Sequence, residues 1–194
     1  MGKIWVFKQL LNNRVIVKVG DITQEKTDAI VNAANATLLG GGGVDGAIHS
    51  RGGSRILEEC REIRKTKFPG GLPTGEAVIT IGGNLSAEFV IHTVGPIYGM
   101  NGGTDAIFLA DCYKNSLRLA VENDLQTIAF PSISTGAFGY PKHEAAAISS
   151  KAIENFLALT NRIEQVRLIF FSEADALKFI KHQIFGSGLK VDSW

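Results

Sequence analysis

The sequence contains only two cysteines, Cys60 and Cys112, among its 194 residues. Two isolated thiols cannot form a disulfide framework, and their spacing matches no metal-binding motif. No apolar run reaches the roughly 20 residues needed to cross a membrane. The first residues also lack the pattern of a secretory signal and the Ser or Thr of a myristoylation site. These absences predict a cytoplasmic protein with reduced thiols and no membrane partner.

The chain carries almost no net charge, +1 at pH 7, with 20 basic and 19 acidic residues. This balance does not predict the basic surface on which duplex nucleic acid binds. Basic residues do not interleave with aromatic ones, so binding of single-stranded nucleic acid is also disfavoured. The hydrophobic fraction of 45% is ordinary for a globular protein. We expect a single domain over residues 1–185, a flexible tail over 186–194, and a monomer.

Glycine, in contrast, is abundant, and its 22 residues cluster in predicted loops. In the stretch 28–49, a short apolar run is followed by Asn32 and Asn35, then by the four glycines 40–43, and then by a helix start that contains Asp45. A strand, a glycine loop and a helix N-terminus together favour anion binding, because unpaired N–H groups and the helix dipole converge there. The stretch therefore predicts a phosphate site next to polar side chains that can hold a sugar and a water.

A second loop of small residues, 131–141, also leads from a strand into a helix. Two such loops suit a ligand with two phosphates, held by backbone N–H groups because neither loop contains Lys or Arg before Lys142. That favours a bound diphosphate over phosphoryl transfer, which usually needs metal and cationic side chains. The alternative, that both loops are simply tight turns, stays open, above all for the second loop.

Residues 41–46 formally match G-x-G-x-x-G, the fingerprint of a dinucleotide-binding loop. The next predicted strand, 77–81, ends in Gly82, Gly83 and Asn84, without the carboxylate that such a site uses for the ribose. Neither glycine loop ends in the Gly-Lys-Ser/Thr of a Walker A motif. A dinucleotide site of the Rossmann type and a P-loop are therefore disfavoured.

Hydrophobic patterns predict strands that alternate with helices. This order predicts an α/β fold, a three-layer α/β/α sandwich with a mixed, mostly parallel central sheet. The predicted strands are 4–10, 15–19, 28–31, 77–81, 89–94, 127–130 and 166–171, and the predicted helices start near 44 or span 54–65, 105–122, 142–159 and 173–184. Because ligands bind beyond the carboxyl ends of parallel strands, one crevice should collect the residues at strand ends: Asp21, Asn32, Asn35, Ser134 and Phe171.

Each of these residues also has a purely structural interpretation. Asp45 could be an exposed acid that only stabilises the helix dipole, and Asp21 could be a turn residue. Asn32 and Asn35 could satisfy local backbone groups, and Phe171 could belong to the core. Ser54 is a candidate N-cap for the second helix. The four histidines are scattered in sequence, and a structural or solvated role is expected for each: His49, His92, His143 and His182.

Taken together, the motifs resemble a known family, the macro domains of the MacroD type. The resemblance covers roughly Ile16 to Ile184. It rests on the segments Gly20–Thr23, Asp28–Asn35, Leu39–His49, Pro73–Ala77, Val90–Pro96 and Pro131–Pro141. Members of this family bind ADP-ribose, and those of the MacroD type hydrolyse the ester that links ADP-ribose to acidic side chains and deacetylate O-acetyl-ADP-ribose. The resemblance therefore implies an ADP-ribosyl ester hydrolase.

The same resemblance implies a role for each matching residue. Asp21, with Ile22 packed nearby, would bind the adenine amino group, and Phe171 would stack on the ring. Asn35 would hold the hydroxyls of the distal ribose, and Asp45 would orient or deprotonate the attacking water. The first phosphate loop would consist of Gly42, Gly43, Val44 and Gly46, and the second of Ser134, Thr135, Gly136, Ala137 and Phe138, with Phe138 against the distal ribose.

The zinc ligands of one subset of the family have no counterpart here, so we predict no metal and no cofactor, with ADP-ribose as ligand and product. An exposed aspartate is a weak base, so Asp45 should act mainly by orienting the water. The expected partners are ADP-ribose, O-acetyl-ADP-ribose and mono-ADP-ribosylated proteins. The alternative is a non-catalytic module that binds ADP-ribose, because many macro domains only bind it.

Overall fold

The computed structural model describes residues 5–186. The predicted flexible tail falls almost entirely on residues 187–194, and the first residue of the first predicted strand is Ile4. Both lie outside the described residues.

Strands and helices alternate after an N-terminal hairpin. The strands are β1 (Trp5–Leu10), β2 (Val15–Val19), β3 (Ala29–Ala34), β4 (Ala77–Ile81), β5 (Phe89–Val94), β6 (Thr127–Phe130) and β7 (Gln165–Phe170). The α-helices are α1 (Gly43–Gly52), α2 (Ser54–Thr66), α3 (Asp105–Glu122), α4 (Lys142–Leu159) and α5 (Glu173–His182). A 3-10 turn, Ile22–Gln24, follows β2. The order of elements predicted from hydrophobic periodicity is confirmed.

Some predicted boundaries were wrong, each for a local reason. Asn32 does not end its strand, because β3 continues to Ala34 while every one of its residues pairs with β5. Ser54 is the first residue of α2 and not its cap, since Gly53 occupies the N-cap position without a side-chain hydrogen bond. Helix α5 stops at His182, where the backbone of Gln183 becomes extended.

The seven strands form one sheet in the order β1-β2-β7-β6-β3-β5-β4. The outer pairs β1–β2 and β4–β5 are antiparallel, and the four inner pairings are parallel. The β1–β2 hairpin turns through three residues with positive φ: Leu11, Asn12 and Asn13. The predicted mixed, mostly parallel sheet is thereby confirmed.

Helices cover both faces of the sheet. One core cluster joins the sheet to α1 and α2 through side chains such as Ile48, Ile56 and Cys60. The other joins it to α3, α4 and α5 through side chains such as Leu117, Ile153 and Phe179. Burying one such aliphatic or aromatic side chain contributes roughly 1.5–3 kcal/mol, so the sheet is held firmly between two helical layers. The three-layer α/β/α prediction is confirmed. Within the described residues, every helix is too short or too polar to cross a membrane.

The sheet opens between β3 and β6. These two strands pair only at Ala29 with Ile128 and at Ile30 with Ala129, although β3 continues four residues further along β5. The chain leaves β3 toward β4 and β5 on one side and leaves β6 toward β7 on the other. Such a change of direction creates a crevice at the carboxyl ends of the strands. Both predicted phosphate loops start at this crevice.

Candidate active site

Asn35 and Asp45 meet on the two sides of Gly41. A Cβ atom added to Gly41 would lie 3.2 Å from Asn35 Nδ2 and 3.0 Å from Asp45 Oδ2. The two side chains reach this point from different elements, Asn35 from the end of β3 and Asp45 from the first turn of α1. The structure therefore brings together the amide and the carboxylate that the sequence singled out, with only a glycine between them.

Asn35 also organises its own loop. Its Oδ1 accepts a hydrogen bond of 2.9 Å from the backbone N–H of Thr37 and another from the Thr37 hydroxyl, and its Nδ2 donates to the carbonyl of Gly40 at 2.9 Å. The structural interpretation of Asn35 thus describes most of its contacts. An amide nitrogen carries two hydrogens, and among the described residues only one of the two has an acceptor. The other can serve a ligand hydroxyl.

Asp45 is buried, with 4% of its surface exposed, and the expectation of an exposed acid at the helix start was wrong. Helix α1 packs against β3, so the first-turn side chain points into the protein. Its Oδ1 accepts a hydrogen bond of 2.7 Å from Asn32 Nδ2 and lies 3.4 Å from His49 Nε2. Its Oδ2 faces Gly41. Oδ1 is therefore held by the Asn32 amide, and Oδ2 points to the glycine loop.

The first glycine loop leaves backbone donors uncapped. Helix α1 begins at Gly43, with Gly42 as an N-cap that makes no side-chain hydrogen bond. The N–H groups of a first helical turn have no partner within the helix, so they remain for an anion. Gly42 and Gly43 are exposed and a Cβ would meet nothing there, while a Cβ at Gly46 would lie 2.5 Å from the Gly41 carbonyl oxygen. Val44 between them is half-buried.

The second loop is held against the end of β5. Ser134 is buried with a φ of 63°, and a Cβ on Gly95 would lie 2.1 Å from its Oγ. The Thr135 hydroxyl donates to the Ser132 carbonyl at 3.0 Å, and Tyr98 N donates to the Phe138 carbonyl at 3.0 Å. Gly136 and Ala137 are exposed, and Phe138 is half-buried. The loop is thus anchored at both ends and presents small exposed residues at its tip.

Asp21 and Phe171 follow the neighbouring parallel strands β2 and β7, which are joined there by a 2.9 Å hydrogen bond from Gly20 N to Phe170 O. Asp21 caps the 3-10 turn through hydrogen bonds from Thr23. Burial alone would raise the pKa of Asp21, but the bonds from Thr23 and Gln24 and the charge of Arg51 lower it.

The ring of Phe171 is 92% exposed, so the core interpretation of Phe171 was wrong. Ile22, in contrast, is buried in the core that contacts α1 and α2. An exposed aromatic ring and a carboxylate at adjacent strand ends are suited to a planar, amino-bearing group.

Sequence reasoning missed a buried polar network under Asp45. Asn32 and His92 are both fully buried on paired residues of β3 and β5, and Asn32 Nδ2 lies 3.1 Å from His92 Nδ1. His92 Nε2 lies 2.9 Å from Thr80 Oγ1 on β4. Burial, with a smaller contribution from the charge of His49, lowers the pKa of His92 to about 3. The available signal was the position of His92 inside an apolar strand, where a histidine needs partners.

The same region brings together three groups that can ligate metals. His49, Cys60 and His92 each offer one ligand atom, and these atoms lie within 4.8 Å of one another. Sequence spacing did not indicate this cluster, because its members come from α1, α2 and β5. Both nitrogens of His92 already have partners, and burial raises the pKa of Cys60 to about 12. The cluster does not fit a resident metal without rearrangement, and the absence of a metal stays a prediction.

Comparison with known proteins gives concordant matches. The sequence profile described as "Macro domain" matches residues 31–149. The protein of Citrobacter koseri named "O-acetyl-ADP-ribose deacetylase" is 48% identical over 166 residues, which cover 86% of this chain and 93% of that protein. Among solved structures, the Oceanobacillus iheyensis macrodomain with ADP superposes with a TM-score of 0.88 at 45% identity, covering 93% of this chain and 96% of that one. The Trypanosoma brucei macrodomain in complex with ADP-ribose superposes with a TM-score of 0.79 at 37% identity, covering 87% and 68%.

Proposed function

Because this chain belongs to the macro domain family, we propose that it binds ADP-ribose in the crevice between β3 and β6 and hydrolyses ADP-ribosyl esters. The proposed substrates are O-acetyl-ADP-ribose and proteins mono-ADP-ribosylated on Glu or Asp. The names of its relatives support the first substrate and the ligand, since one is a deacetylase of that ester and two were solved with ADP or ADP-ribose. The proposal needs no metal and no cofactor.

The ligand fits the order of features along the strand ends. The adenine would lie on the exposed ring of Phe171, with its amino group toward the carboxylate of Asp21. The two phosphates would accept hydrogen bonds from the uncapped N–H groups of α1 and from the backbone of the Ser134–Phe138 loop. The distal ribose would then reach Asn35 and Asp45. This arrangement places the ester next to the buried carboxylate of Asp45.

The observation that carries the hydrolase proposal is the asymmetry of the Asp45 carboxylate. Oδ1 is fixed by Asn32, and Oδ2 faces Gly41 and Asn35. A water that donates to Oδ2 would hold its lone pair toward the acyl carbon, and such orientation lowers the entropic cost of attack. The water oxygen bonds to the acyl carbon, the bond from that carbon to the ribose oxygen breaks, and the proton lost by the water ends on the ribose oxygen.

The N–H groups at the start of α1 bind phosphate in this arrangement, and the positive end of the helix dipole would also favour the negative charge that develops on the acyl oxygen. This assignment uses only groups of the chain itself. A second candidate function is binding without catalysis. It is favoured by the engagement of Asn35 with its own loop, since Thr37 occupies the acceptor side of its amide.

The test is release of free ADP-ribose from a protein mono-ADP-ribosylated on Glu, measured for wild type and for Asp45→Ala beside the affinity of both for ADP-ribose. We expect a loss of turnover of roughly 100-fold or more in the variant, with little change in affinity. Equal turnover in the two proteins contradicts the role of Asp45. A folded wild type that binds ADP-ribose and releases none supports the binding module instead.

A further inference from the structure

Asn32 uses both hydrogens of its amide nitrogen in one buried network. Nδ2 donates to Asp45 Oδ1 at 2.7 Å and lies 3.1 Å from His92 Nδ1. Asn32 and His92 are both completely buried. A carboxylate only accepts hydrogen bonds, so the Asp45 contact determines which end of the Asn32 amide faces it. The second hydrogen of Nδ2 is then directed at His92.

This arrangement fixes the tautomer of His92. A neutral imidazole donates from one nitrogen and accepts at the other. Because Nδ1 faces an N–H group, it must be the acceptor, and Nε2 must carry the proton. The Thr80 hydroxyl lies 2.9 Å from Nε2 and donates in turn to the Ile81 carbonyl at 3.2 Å. The hydrogen bonds therefore diverge from the Asn32 amide: one hydrogen is donated to Asp45, and the other begins a series of donations through His92 and Thr80 to the Ile81 carbonyl.

We propose that His92 is a positioning residue for the reaction: as the Nε2-protonated tautomer it holds the Asn32 amide, which in turn holds the Asp45 carboxylate in its catalytic orientation. The inference rests on the proposed hydrolase function and extends it to a residue that touches neither ligand nor water. Thr80 selects this tautomer, because its hydroxyl oxygen accepts a hydrogen bond from Nε2–H while its O–H donates to the Ile81 carbonyl.

The physical reason is that, within residues 5–186, the Asn32 side chain has no hydrogen-bond partner besides Asp45 and His92. Among the described residues, Asn32 Oδ1 is buried without a hydrogen-bond partner. Loss of the acceptor at His92 Nδ1 would remove the only contact besides Asp45 itself that fixes the amide. The amide would then keep only its bond to Asp45 and could tilt about that bond, because no second contact would fix its plane. Asp45 would be held by a loosely oriented donor, and its Oδ2 would no longer be fixed toward the water.

The tautomer of His92 can be measured directly in the wild-type protein. Long-range ¹⁵N–¹H correlation spectra of protein labelled with ¹⁵N-histidine distinguish a protonated Nε2 from a protonated Nδ1, and the His92→Gln variant assigns the His92 signals. We expect Nε2 to be protonated and Nδ1 to be an unprotonated acceptor. A protonated Nδ1, or a mixture of the two tautomers, overturns the proposal whatever the activity.

Two matched variants separate positioning from packing. In His92→Asn the new side-chain oxygen lies close to the former Nδ1 and can accept from Asn32, whereas in His92→Gln the amide replaces Nε2 and leaves that acceptor missing. Both remove the ring, and Asn, as the smaller side chain, disturbs packing at least as much as Gln does. We expect kcat of His92→Gln to fall roughly 10- to 100-fold and that of His92→Asn to fall much less, with KM and ADP-ribose affinity within about twofold of wild type for both.

Equal kcat in the two variants would show that His92 is only a core residue, and this outcome overturns the proposal while the hydrolase function stands. A wild type that releases no ADP-ribose has a different meaning, because it refutes the proposed function and with it the catalytic role of His92. If His92→Gln does not fold, the tautomer measured in the wild type still decides between the two readings of His92, with assignment from His92→Asn.

Discussion

The side-chain amide of Asn32 donates a hydrogen bond of 2.7 Å to Asp45 Oδ1, and so connects the middle of β3 to the first turn of α1. Both groups are buried, with Asn32 at 0% and Asp45 at 4% exposure. A buried carboxylate without a donor is costly. This bond therefore links the stability of the protein to the orientation of its proposed catalytic carboxylate.

Replacing Asn32 by Ala should lower both stability and turnover. The change leaves Asp45 Oδ1 without its closest donor, so we expect the free energy of unfolding to fall by roughly 1–3 kcal/mol. Urea unfolding checks this value, and the ester hydrolysis assay should show a reduced kcat in the same variant. Unchanged stability and turnover would mean that water or His49 replaces the amide without loss.

Gly41→Ala should impair hydrolysis more than it impairs folding. The added methyl group would lie 3.0 Å from Asp45 Oδ2 and 3.2 Å from Asn35 Nδ2, so these two side chains must move apart. We expect kcat to fall by roughly 10-fold or more, measured as ADP-ribose release. Gly70→Ala is the matched control, since Gly70 is exposed and a Cβ there meets nothing within 4 Å. Equal activity of both variants would contradict the convergence of Asn35 and Asp45 on this point.

Phe171→Ala should weaken ADP-ribose binding without changing stability. The ring is 92% exposed, so its removal costs almost no buried surface. Stacking of a base on an aromatic ring contributes roughly 1–3 kcal/mol, and isothermal titration calorimetry should show an affinity loss of that size. Leu159→Ala controls for general surface effects, because it removes a similarly exposed apolar side chain at a different place, the end of α4. An unchanged affinity for Phe171→Ala would remove Phe171 from the adenine site.

Stability should decrease as the pH falls from 6.5 toward 3. The pKa of His92 is lowered from 6.5 to about 3 by burial, so in this window the unfolded chain binds a proton that the folded protein does not. Such a difference of one proton reduces the free energy of unfolding by about 1.4 kcal/mol per pH unit.

The titratable groups that face His92 include His49 from α1 and Cys60 from α2, and Asp45 lies beyond them in contact with Asn32 and His49. Urea unfolding at several pH values should therefore be compared with His92→Gln, in which this slope is smaller. The same slope in both proteins would show that other groups cause it.

The fold could be predicted from local patterns. Strand patterns alternate with helix patterns, and glycines mark the loops between them, which together specify most of this architecture. The crevice could also be inferred, because Asn35, Ser134 and Phe171 all follow parallel strands. Asp45 illustrates the limit. Its position in a first helical turn was evident, but its burial depends on how α1 packs on β3, which periodicity does not specify.

His92 illustrates a second limit. Its partners Asn32 and Thr80 lie 60 and 12 residues away along the chain, and only the register of β3, β4 and β5 brings the three together. A strand pattern identifies buried positions but not which polar groups face each other across neighbouring strands. The cluster of His49, Cys60 and His92 was missed because its members lie on α1, α2 and β5, which only the packing of the two helices on the sheet brings together.

The exposure of Phe171 has a consequence for how this protein can change. A ring that contributes almost nothing to folding can be exchanged without loss of stability, so the preference for the base at the proposed adenine site can be altered while the protein remains folded. At the other end, Asp45 and Asn32 are part of the interior, and any change of chemistry there also changes stability. Under the proposed function, selectivity for the nucleotide and reactivity at the ester are therefore separable traits, of which the first is the easier to engineer.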